Sequence, residues 1–323
     1  MKILAVQNRM GIGDMIIFLP FIEAISKKFS CPVSILVKQS TKSSEILKNN
    51  SYIDNIILLD RNDRTKEGKH SGFTGALKLA SDIKKYNFDK VFIFNSSLRF
   101  RLIMKIAKIK DIYQYKLFDK KKQNIIKAAQ DFINKSINLD VESKPTISIN
   151  SKDINEAYVK YNIDREKINI LLGIGGSGNT KRVAAEKYIE FIKLCTNNYE
   201  CKFFLATGKK NEEQEILKKI LNSNFKNLCK TLDDLTISET LPIIKNCNLA
   251  VCNDTSFSHL SAALGVETIV LMTDSPLLYG SYSPKMHPII PDGEKTVTHN
   301  TLGKNKINPV KIFDKMKEIL KLS

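Results

Sequence analysis

Short apolar runs alternate with segments of helical periodicity in two series along this chain of 323 residues. The predicted strands of the first series cover residues 2–7, 33–37, 53–59 and 90–95, and those of the second cover 168–172, 201–207, 227–229, 247–252 and 268–272. Strands that alternate with helices form βαβ units, which build parallel sheets. The sequence therefore predicts an α/β protein with two open domains.

The predicted domain boundary lies near residue 150, because residues 143–151 contain Pro145 and look like a linker. We expect a first domain over 1–150, a second over 151–305 and a separate C-terminal helix over 306–323. Ile312, Phe313 and Met316 give that helix one apolar face, which has to pack on a neighbour. The first domain is one candidate surface for it.

The composition, with 42% hydrophobic and 26% charged residues, is that of a globular chain able to bury two cores of ordinary size. The apolar run at residues 2–7 is too short for a secretory signal, and no run approaches the length of a membrane span. We therefore expect a cytoplasmic protein. The six cysteines lack C-x-x-C spacing, which favours reduced core thiols over disulfides or a zinc site.

Most of the formal net charge of +17 lies in the first half, where 27 Lys and Arg stand against 14 Asp and Glu in residues 1–150. Such a surface attracts nucleic acid, an anionic membrane or an anionic substrate. A Lys-rich surface is also the ordinary product of an AT-rich genome. The basic segment 99–122 contains aromatic residues as nucleic-acid sites do, but an amphipathic helix followed by a strand explains it equally well and is preferred.

Residues 253–260, with the sequence Asn-Asp-Thr-Ser-Phe-Ser-His-Leu, join a predicted buried strand to an Ala-rich helix. This junction gathers backbone N–H groups, a carboxylate, hydroxyls and an imidazole, which together suit a phosphate or a sugar. Asp, Thr and Ser are also ordinary helix caps, and His259 could be a structural histidine. The stretch by itself fits both interpretations.

Two glycine-rich turns, at residues 8–14 and 173–182, also follow predicted strands. Ligands of open α/β sheets bind beyond the carboxyl ends of the strands, so the three loops could converge on one cleft. Neither turn matches a dinucleotide fingerprint or a P-loop, since Ile16 occupies the third glycine position of the first and Lys181-Arg182 lacks the P-loop spacing. The chain has no Asp-x-Asp, so we expect Lys, Arg and helix N-termini, without a metal, to neutralise a bound phosphate.

Asp14 is the least expected residue of the first turn. A carboxylate in the first turn of a helix is favoured by the helix dipole, which would make Asp14 structural. The functional interpretation is a general base that takes a proton from a hydroxyl nucleophile.

Several motifs taken together resemble one family. Residues 11–14 with Pro20 are similar to an L-G-D-x-x-x-x-x-P turn, residues 176–182 to a P-G-A-S…K-R-W segment, residues 254–265 to D-T-G-x-x-H-L-A-A-A-L-G, and residues 279–284 to Y-G-P-Y-S-P. These motifs are typical of the bacterial heptosyltransferases of lipopolysaccharide assembly, glycosyltransferase family 9. The resemblance implies a GT-B fold, in which two Rossmann-like domains with parallel sheets face an interdomain cleft.

The resemblance also implies an inverting, metal-independent transfer of a sugar, with heptose from an ADP-heptose-type donor as the expected substrate. Asp14 would be the catalytic base. The implied donor-binding residues are Ser177, Lys181, Leu235, Asp254, Thr255, Ser256 and His259. The acceptor would be an anionic glycolipid or lipopolysaccharide core at the inner membrane face, and the basic first domain offers Arg61, Arg64 and Arg99 to bind it. We expect no cofactor, no nucleic-acid partner and a monomer that could associate peripherally with the membrane.

The sequence departs from the family pattern at three places: Ser256 replaces a glycine, Val183 replaces a tryptophan, and Gly175-Gly176 replaces Pro-Gly. Three rival functions stay open. They are a GT-B nucleotide-sugar epimerase, a non-catalytic nucleotide-sugar-binding protein and, on the charge alone, a nucleic-acid-binding protein.

Overall fold

The computed structural model describes residues 1–62, 65, 67–117, 124–176 and 178–322. The chain divides into two compact units, Met1–Pro145 and Thr146–Ser323. This division falls inside the predicted linker segment, slightly before the expected boundary at residue 150.

The first unit contains a five-stranded parallel sheet in the order β3-β2-β1-β4-β5. Its described elements are β1 (Ile3–Val6), α1 (Ile12–Phe29), β2 (Val33–Val37), α2 (Ser43–Ile46), β3 (Ile53–Leu58), α3 (Gly72–Lys84), β4 (Lys90–Ile93), α4 (Leu98–Ile106), β5 (Asp111–Gln114) and α5 (Ile125–Ile137). The strand order reverses direction between β1 and β4, which makes this point the ligand-binding position of the sheet.

The basic segment forms α4 and then β5, as the preferred interpretation of an amphipathic helix followed by a strand predicts. Phe100, Ile103 and Met104 bury one face of α4 in the core of the first unit. Basic side chains alternate with these core residues because a surface helix presents its polar side to solvent. Residues 118–122 of the segment lie outside the described residues.

The second unit contains a six-stranded parallel sheet in the order β11-β10-β9-β6-β7-β8. Its described elements are α6 (Ser151–Lys160), β6 (Ile168–Gly173), α7 (Ala185–Thr196), β7 (Cys201–Ala206), α8 (Asn211–Leu221), β8 (Cys229–Thr231), α9 (Ile237–Lys245), β9 (Leu249–Asn253), α10 (Ser256–Ala263), β10 (Glu267–Leu271), β11 (Met286–Ile289) and α11 (Pro309–Leu320). The predicted strands end with residues 268–272 and do not include β11, which contains Pro288. An edge strand tolerates proline, and β11 is an edge strand.

The six cysteines are free, as their spacing predicted. Cys195, Cys201, Cys247 and Cys252 are buried. Burial raises the pKa of the Cys252 thiol to about 12, because an apolar surrounding disfavours the thiolate. These residues act as small apolar side chains of the core.

The C-terminal helix α11 packs within the second unit, which corrects the suggestion that it returns to the first domain. Ile312, Phe313 and Met316 join the core of the second unit together with residues of α7. The Sγ of Cys195 on α7 lies 3.7 Å from the Sδ of Met316. The apolar face of α11 therefore covers the sheet of the unit to which it is connected.

Among the described residues, no helix combines the length and the apolar character needed to cross a membrane.

We predict that Met316→Ala destabilises the second unit by about 2–5 kcal/mol, because it leaves a cavity in a fully buried core. The matched control is Val310→Ala on the exposed side of the same helix. Urea unfolding of both variants measures the difference. Equal midpoints for the two variants would show that α11 does not contribute to this core.

Candidate functional site

The reversal of strand order in the second unit lies between β6 and β9, which are neighbours in the sheet. The glycine-rich turn follows β6, and the 253–260 stretch follows β9. Because the strands are parallel, both segments leave the sheet at the same edge. The two motifs that the sequence singled out in this unit are thus brought together at the ligand-binding position of an open sheet.

Asn253 joins these two segments through its fully buried side chain. Its Nδ2 donates to the carbonyl oxygens of Ile174 and Gly175, each at 3.0 Å. Its Oδ1 accepts from the Tyr188 hydroxyl at 2.8 Å and from the Val183 backbone N–H at 3.4 Å. One amide therefore holds the end of β9, the glycine-rich turn and the start of α7 in fixed positions.

Asp254 carries a buried carboxylate at the edge of the sheet. The Nζ of Lys181 donates to its Oδ2 at 2.7 Å, and the Ser275 hydroxyl donates to the same oxygen. Burial by itself raises the pKa of Asp254, but the positive charge of Lys181, the nearby His259 and both hydrogen bonds outweigh it and lower the pKa below its ordinary value. Asp254 is therefore ionised at neutral pH.

His259, on the first turns of α10, packs between Asp254 and the loop after β10. Its Nε2 lies 3.8 Å from the Asp254 Oδ1, and its Nδ1 lies 2.8 Å from the Tyr282 hydroxyl. Its ring also stacks on the Tyr282 ring, with centroids 5.5 Å apart. The imidazole is consequently fixed in position and orientation beside the carboxylate.

The glycine-rich turn is held from two sides by charged residues that are themselves buried. The Gly176 N–H donates to Glu213 Oε1 at 2.7 Å, and its carbonyl accepts from Arg182 Nη1 at 2.8 Å. A Cβ at Gly175 would lie 2.6 Å from Glu213 Oε1, closer than any real Cβ contact. A side chain at position 175 would therefore displace the Glu213 carboxylate that holds the turn.

The turn also lies against the start of α10, because a Cβ at Gly176 would be 3.3 Å from the Thr255 Cγ2. Thr255 is the N-cap residue of α10, but its side chain makes no capping hydrogen bond. Its buried Oγ1 has no partner within the described residues. Ser256 is the first residue of the helix and is half-buried.

The remaining predicted donor residues lie as follows. Leu235 is half-buried in the connection between β8 and α9, directly before the Thr236 N-cap. Ser177 lies outside the described residues. In the second unit the structure thus brings together Lys181, Asp254, Thr255, Ser256 and His259.

Asp14 lies near the strand reversal of the first unit, in the first turn of α1. Its Oδ2 accepts from the Gly11 N–H at 3.3 Å, and its Oδ1 lies 3.5 Å from Arg9 Nη1. The carboxylate thus accepts a hydrogen bond from a backbone N–H at the N-terminus of the helix. The Asp14 side chain is nevertheless 26% exposed. This geometry is compatible with a structural cap and with a base that solvent and substrate can reach.

Arg99, one of the predicted acceptor-binding residues, forms hydrogen bonds to two backbone carbonyls of the first unit. Its Nη1 donates to the Gly72 carbonyl at 2.7 Å, and its Nη2 donates to the His70 carbonyl at 2.6 Å. It fixes the start of α3 beside the start of α4. Arg61 follows β3, where its backbone N–H donates to the Leu59 carbonyl, and Arg64 lies outside the described residues.

The sequence did not indicate which residues hold the site in place. These residues are Tyr188, Glu213, Ser275 and Tyr282. Only Tyr282 had a signal, since it belongs to the quoted 279–284 motif. The others lie 21 to 65 residues from their partners along the chain, and no local pattern indicates such pairs.

The arrangement in the second unit can bind an anion and a polyol together. Lys181 and the N-terminus of α10 favour negative charge, while the Asp254 carboxylate and the Thr255 hydroxyl are able to accept hydrogen bonds from hydroxyl groups of a ligand. Within the described parts of the chain, no three His, Cys, Asp or Glu side chains form a group able to hold a metal ion.

We predict that Asn253→Ala destabilises the second unit by about 3 kcal/mol, because it leaves two carbonyls and a hydroxyl unpaired in the core. Tyr188→Phe, which removes one of these bonds, should cost about 1 kcal/mol. Asn227→Ala, on the surface of the same unit, is the control. Urea unfolding gives the comparison, and an Asn253→Ala midpoint no lower than that of the control would contradict it.

Comparison with known proteins agrees with this fold. The family model described as glycosyltransferase family 9 (heptosyltransferase) matches residues 76–308. The match includes Lys181 and Asp254 and begins after Asp14. The chain is 23% identical to lipopolysaccharide heptosyltransferase 1 of Campylobacter coli over 94% of its own length and 93% of that protein's.

Two solved structures share the fold over nearly the whole chain. The E. coli ADP-heptose lipopolysaccharide heptosyltransferase II is 16% identical with a TM-score of 0.75, covering 99% of both chains. The glycosyltransferase family 9 protein of Veillonella parvula is 18% identical with a TM-score of 0.78, covering 100% of this chain and 98% of that one. The predicted GT-B fold is confirmed. This chain belongs to glycosyltransferase family 9, the heptosyltransferase family, and is a glycosyltransferase.

Proposed function

We propose that this enzyme transfers a heptose from an ADP-linked donor to an anionic acceptor in the assembly of lipopolysaccharide or a related surface glycan. The reaction proposed is a single inverting displacement that needs no metal. The observation that carries the proposal is the buried cluster of Lys181, Asp254 and His259 beside the N-terminus of α10. In a family 9 chain, this cluster has the chemistry to bind a sugar diphosphate.

The donor diphosphate is proposed to bind at Lys181 and at the N–H groups of Ser256 and Phe257. An ammonium group has three donors, so Lys181 can keep its bond to Asp254 and still donate to a phosphate oxygen. These groups would stabilise the negative charge that develops on the leaving nucleoside diphosphate. Thr255 supports the proposal, because its buried hydroxyl has no other partner in the described structure.

Asp254 is proposed to accept hydrogen bonds from hydroxyls of the donor sugar, and His259 to position that carboxylate. The contact between His259 and Tyr282 fixes the ring before any ligand arrives. Preorganised groups of this kind lose little free energy on binding. The departure at Ser256 places a hydroxymethyl group on the first residue of α10, where a serine hydroxyl can donate a further hydrogen bond to phosphate.

Asp14 is proposed as the general base. Its partly exposed carboxylate would take the proton from the acceptor hydroxyl while that oxygen attacks the anomeric carbon and the bond to the diphosphate breaks. Arg9 and the Gly11 N–H hold the carboxylate in one orientation. The heptose and lipopolysaccharide parts of the proposal rest on the names of the relatives, which include the lipopolysaccharide heptosyltransferase 1 of Campylobacter coli and the lipooligosaccharide heptosyltransferase 2 of Campylobacter jejuni.

We expect ADP-heptose to raise the melting temperature of the protein more than GDP-, UDP- or CMP-linked sugars do, since a ligand of the native state stabilises it. Lys181→Ala should weaken donor binding by about 1.5–3 kcal/mol through the loss of a charged hydrogen bond. Lys219→Ala removes a lysine from a surface ion pair with Glu186 and serves as the control. A preference for another nucleotide would refute the ADP-linked donor.

Asp14→Asn should abolish transfer while the calorimetric affinity for the donor stays unchanged. Asparagine keeps an oxygen that accepts from the Gly11 N–H, so it preserves the helix cap but removes the base. Transfer is measured as release of the nucleoside diphosphate in the presence of a truncated lipopolysaccharide acceptor. Near-normal transfer by Asp14→Asn would make Asp14 a structural cap. Turnover of the donor by the unmodified enzyme without acceptor would instead favour an epimerase.

A further inference from the structure

Large apolar side chains are exposed to an unusual degree on two neighbouring helices of the first unit. Of the eleven such side chains exposed in the described residues, five lie on α3 and α4. Phe73 is 78% exposed on the first turn of α3, and Leu77 lies one turn further along. Leu98, Leu102 and Ile106 follow one another at intervals of four residues on α4. Residues four apart share a face of a helix, so α4 carries an exposed apolar stripe.

The two helices form one surface. Leu79, Ala80 and Ile83 of α3 pack into the same core cluster as Phe100 and Ile103 of α4, so both helices cover the same face of the sheet. Arg99 joins their first turns by donating to the carbonyls of His70 and Gly72. We call the exposed set Phe73, Leu77, Leu98, Leu102 and Ile106 the apolar patch.

Basic residues flank the apolar patch. The sequence between residues 98 and 110 contains no Asp or Glu and five basic residues: Arg99, Arg101, Lys105, Lys108 and Lys110. Lys105 is exposed on the last turn of α4, Lys108 and Lys110 are exposed in the segment that follows it, and Lys78 and Lys84 are exposed on α3. Asp82, the acidic residue of α3, is already paired with Lys69 and Lys85. The residues around the apolar patch therefore carry a net positive charge.

We propose that the apolar patch and its basic flank dock the protein onto an anionic lipid bilayer. Apolar side chains that project between basic residues are the pattern of helices lying in a membrane interface, where the former enter the acyl region and the latter contact anionic headgroups. A nucleic-acid backbone would match the charge but would leave Phe73, Leu102 and Ile106 without an apolar partner. An anionic bilayer matches both the apolar side chains and the basic residues, so we favour a lipid surface over a nucleic acid.

Docking on this surface goes beyond the proposed transfer reaction and does not depend on it. If the docking surface and the proposed reaction are both correct, the surface also explains how a lipid-borne acceptor reaches the enzyme. Helices α1, α3 and α4 each begin at the carboxyl-end edge of the first sheet, since each follows a parallel strand. Phe73 and Leu98 on the first turns thus lie toward the edge that carries Asp14. A lipid-borne acceptor would then be presented to the unit that holds the proposed base.

The test is sedimentation of the full-length protein with vesicles of 100% phosphatidylcholine or of a phosphatidylcholine and phosphatidylglycerol mixture. We expect binding to the anionic vesicles and little to the neutral ones. Leu102→Ser combined with Ile106→Ser should lower the partition coefficient about tenfold or more, because two half-exposed apolar side chains no longer enter the bilayer. Lys105→Ser combined with Lys110→Ser should lower it about fivefold for each charge removed.

Matched controls lie in the second unit. Val159→Ser combined with Val310→Ser removes two exposed apolar side chains from α6 and α11. Lys193→Ser combined with Lys226→Ser removes two exposed charges, so the net charge falls as much as in the basic variant. These controls should sediment like the unmodified protein. The circular dichroism spectrum and the urea midpoint should be unchanged in all four variants, which verifies that both units are folded.

Three outcomes would overturn the proposal. The first is equal binding to neutral and anionic vesicles, and the second is an equal loss in the patch and control variants. The third is a dimer, detected by light scattering, that only the patch variants convert to monomer without any vesicle binding, since the patch would then be a contact between two copies of this chain. Failure of donor binding in the unmodified protein would refute the proposed function and leave the docking surface untouched.

Discussion

The buried side chain of Asn253 is the interaction on which the second unit's site depends. An isolated parallel sheet determines only that the loops after β6 and β9 leave the same edge. Asn253 converts this proximity into fixed geometry, because its amide bonds both loops and the Tyr188 hydroxyl at once. The cost of leaving any of these groups unpaired in the core keeps the arrangement rigid. The next residue, Asp254, is consequently placed with little freedom.

Asp254 shows how the charges of the site balance. A carboxylate this well buried is unfavourable alone, and its lowered pKa is possible only because Lys181, His259 and Ser275 surround it. A carboxyl group with a lowered pKa adds stability that is present above its unfolded pKa and is lost as the pH falls through the folded value. The cluster that we propose to bind the donor therefore also stabilises the fold at neutral pH. The proposed donor binding and the stability of the second unit thus involve the same ion pair, Lys181 and Asp254.

The first unit uses its basic residues in several ways. Arg99, predicted to bind the acceptor, joins the first turns of α3 and α4. Arg9 lies beside Asp14, and the lysines near the end of α4 face solvent beside exposed leucine and isoleucine side chains. The excess charge of this half thus divides into residues that hold the chain together and residues that remain at the surface. Composition alone could not separate the two groups.

The sequence by itself determined the two α/β units, the parallel sheets and the identity of the strand-end residues, because strand and helix periodicity and the motifs around Asp14, Lys181 and Asp254 are local. It also supported the family assignment through the order of those motifs. Only the tertiary structure decided that α11 covers the second unit, that Pro288 belongs to an edge strand, and that Glu213, Tyr188, Ser275 and Tyr282 hold the site. These features depend on contacts between residues far apart in the chain, and such contacts leave no periodic or local signal.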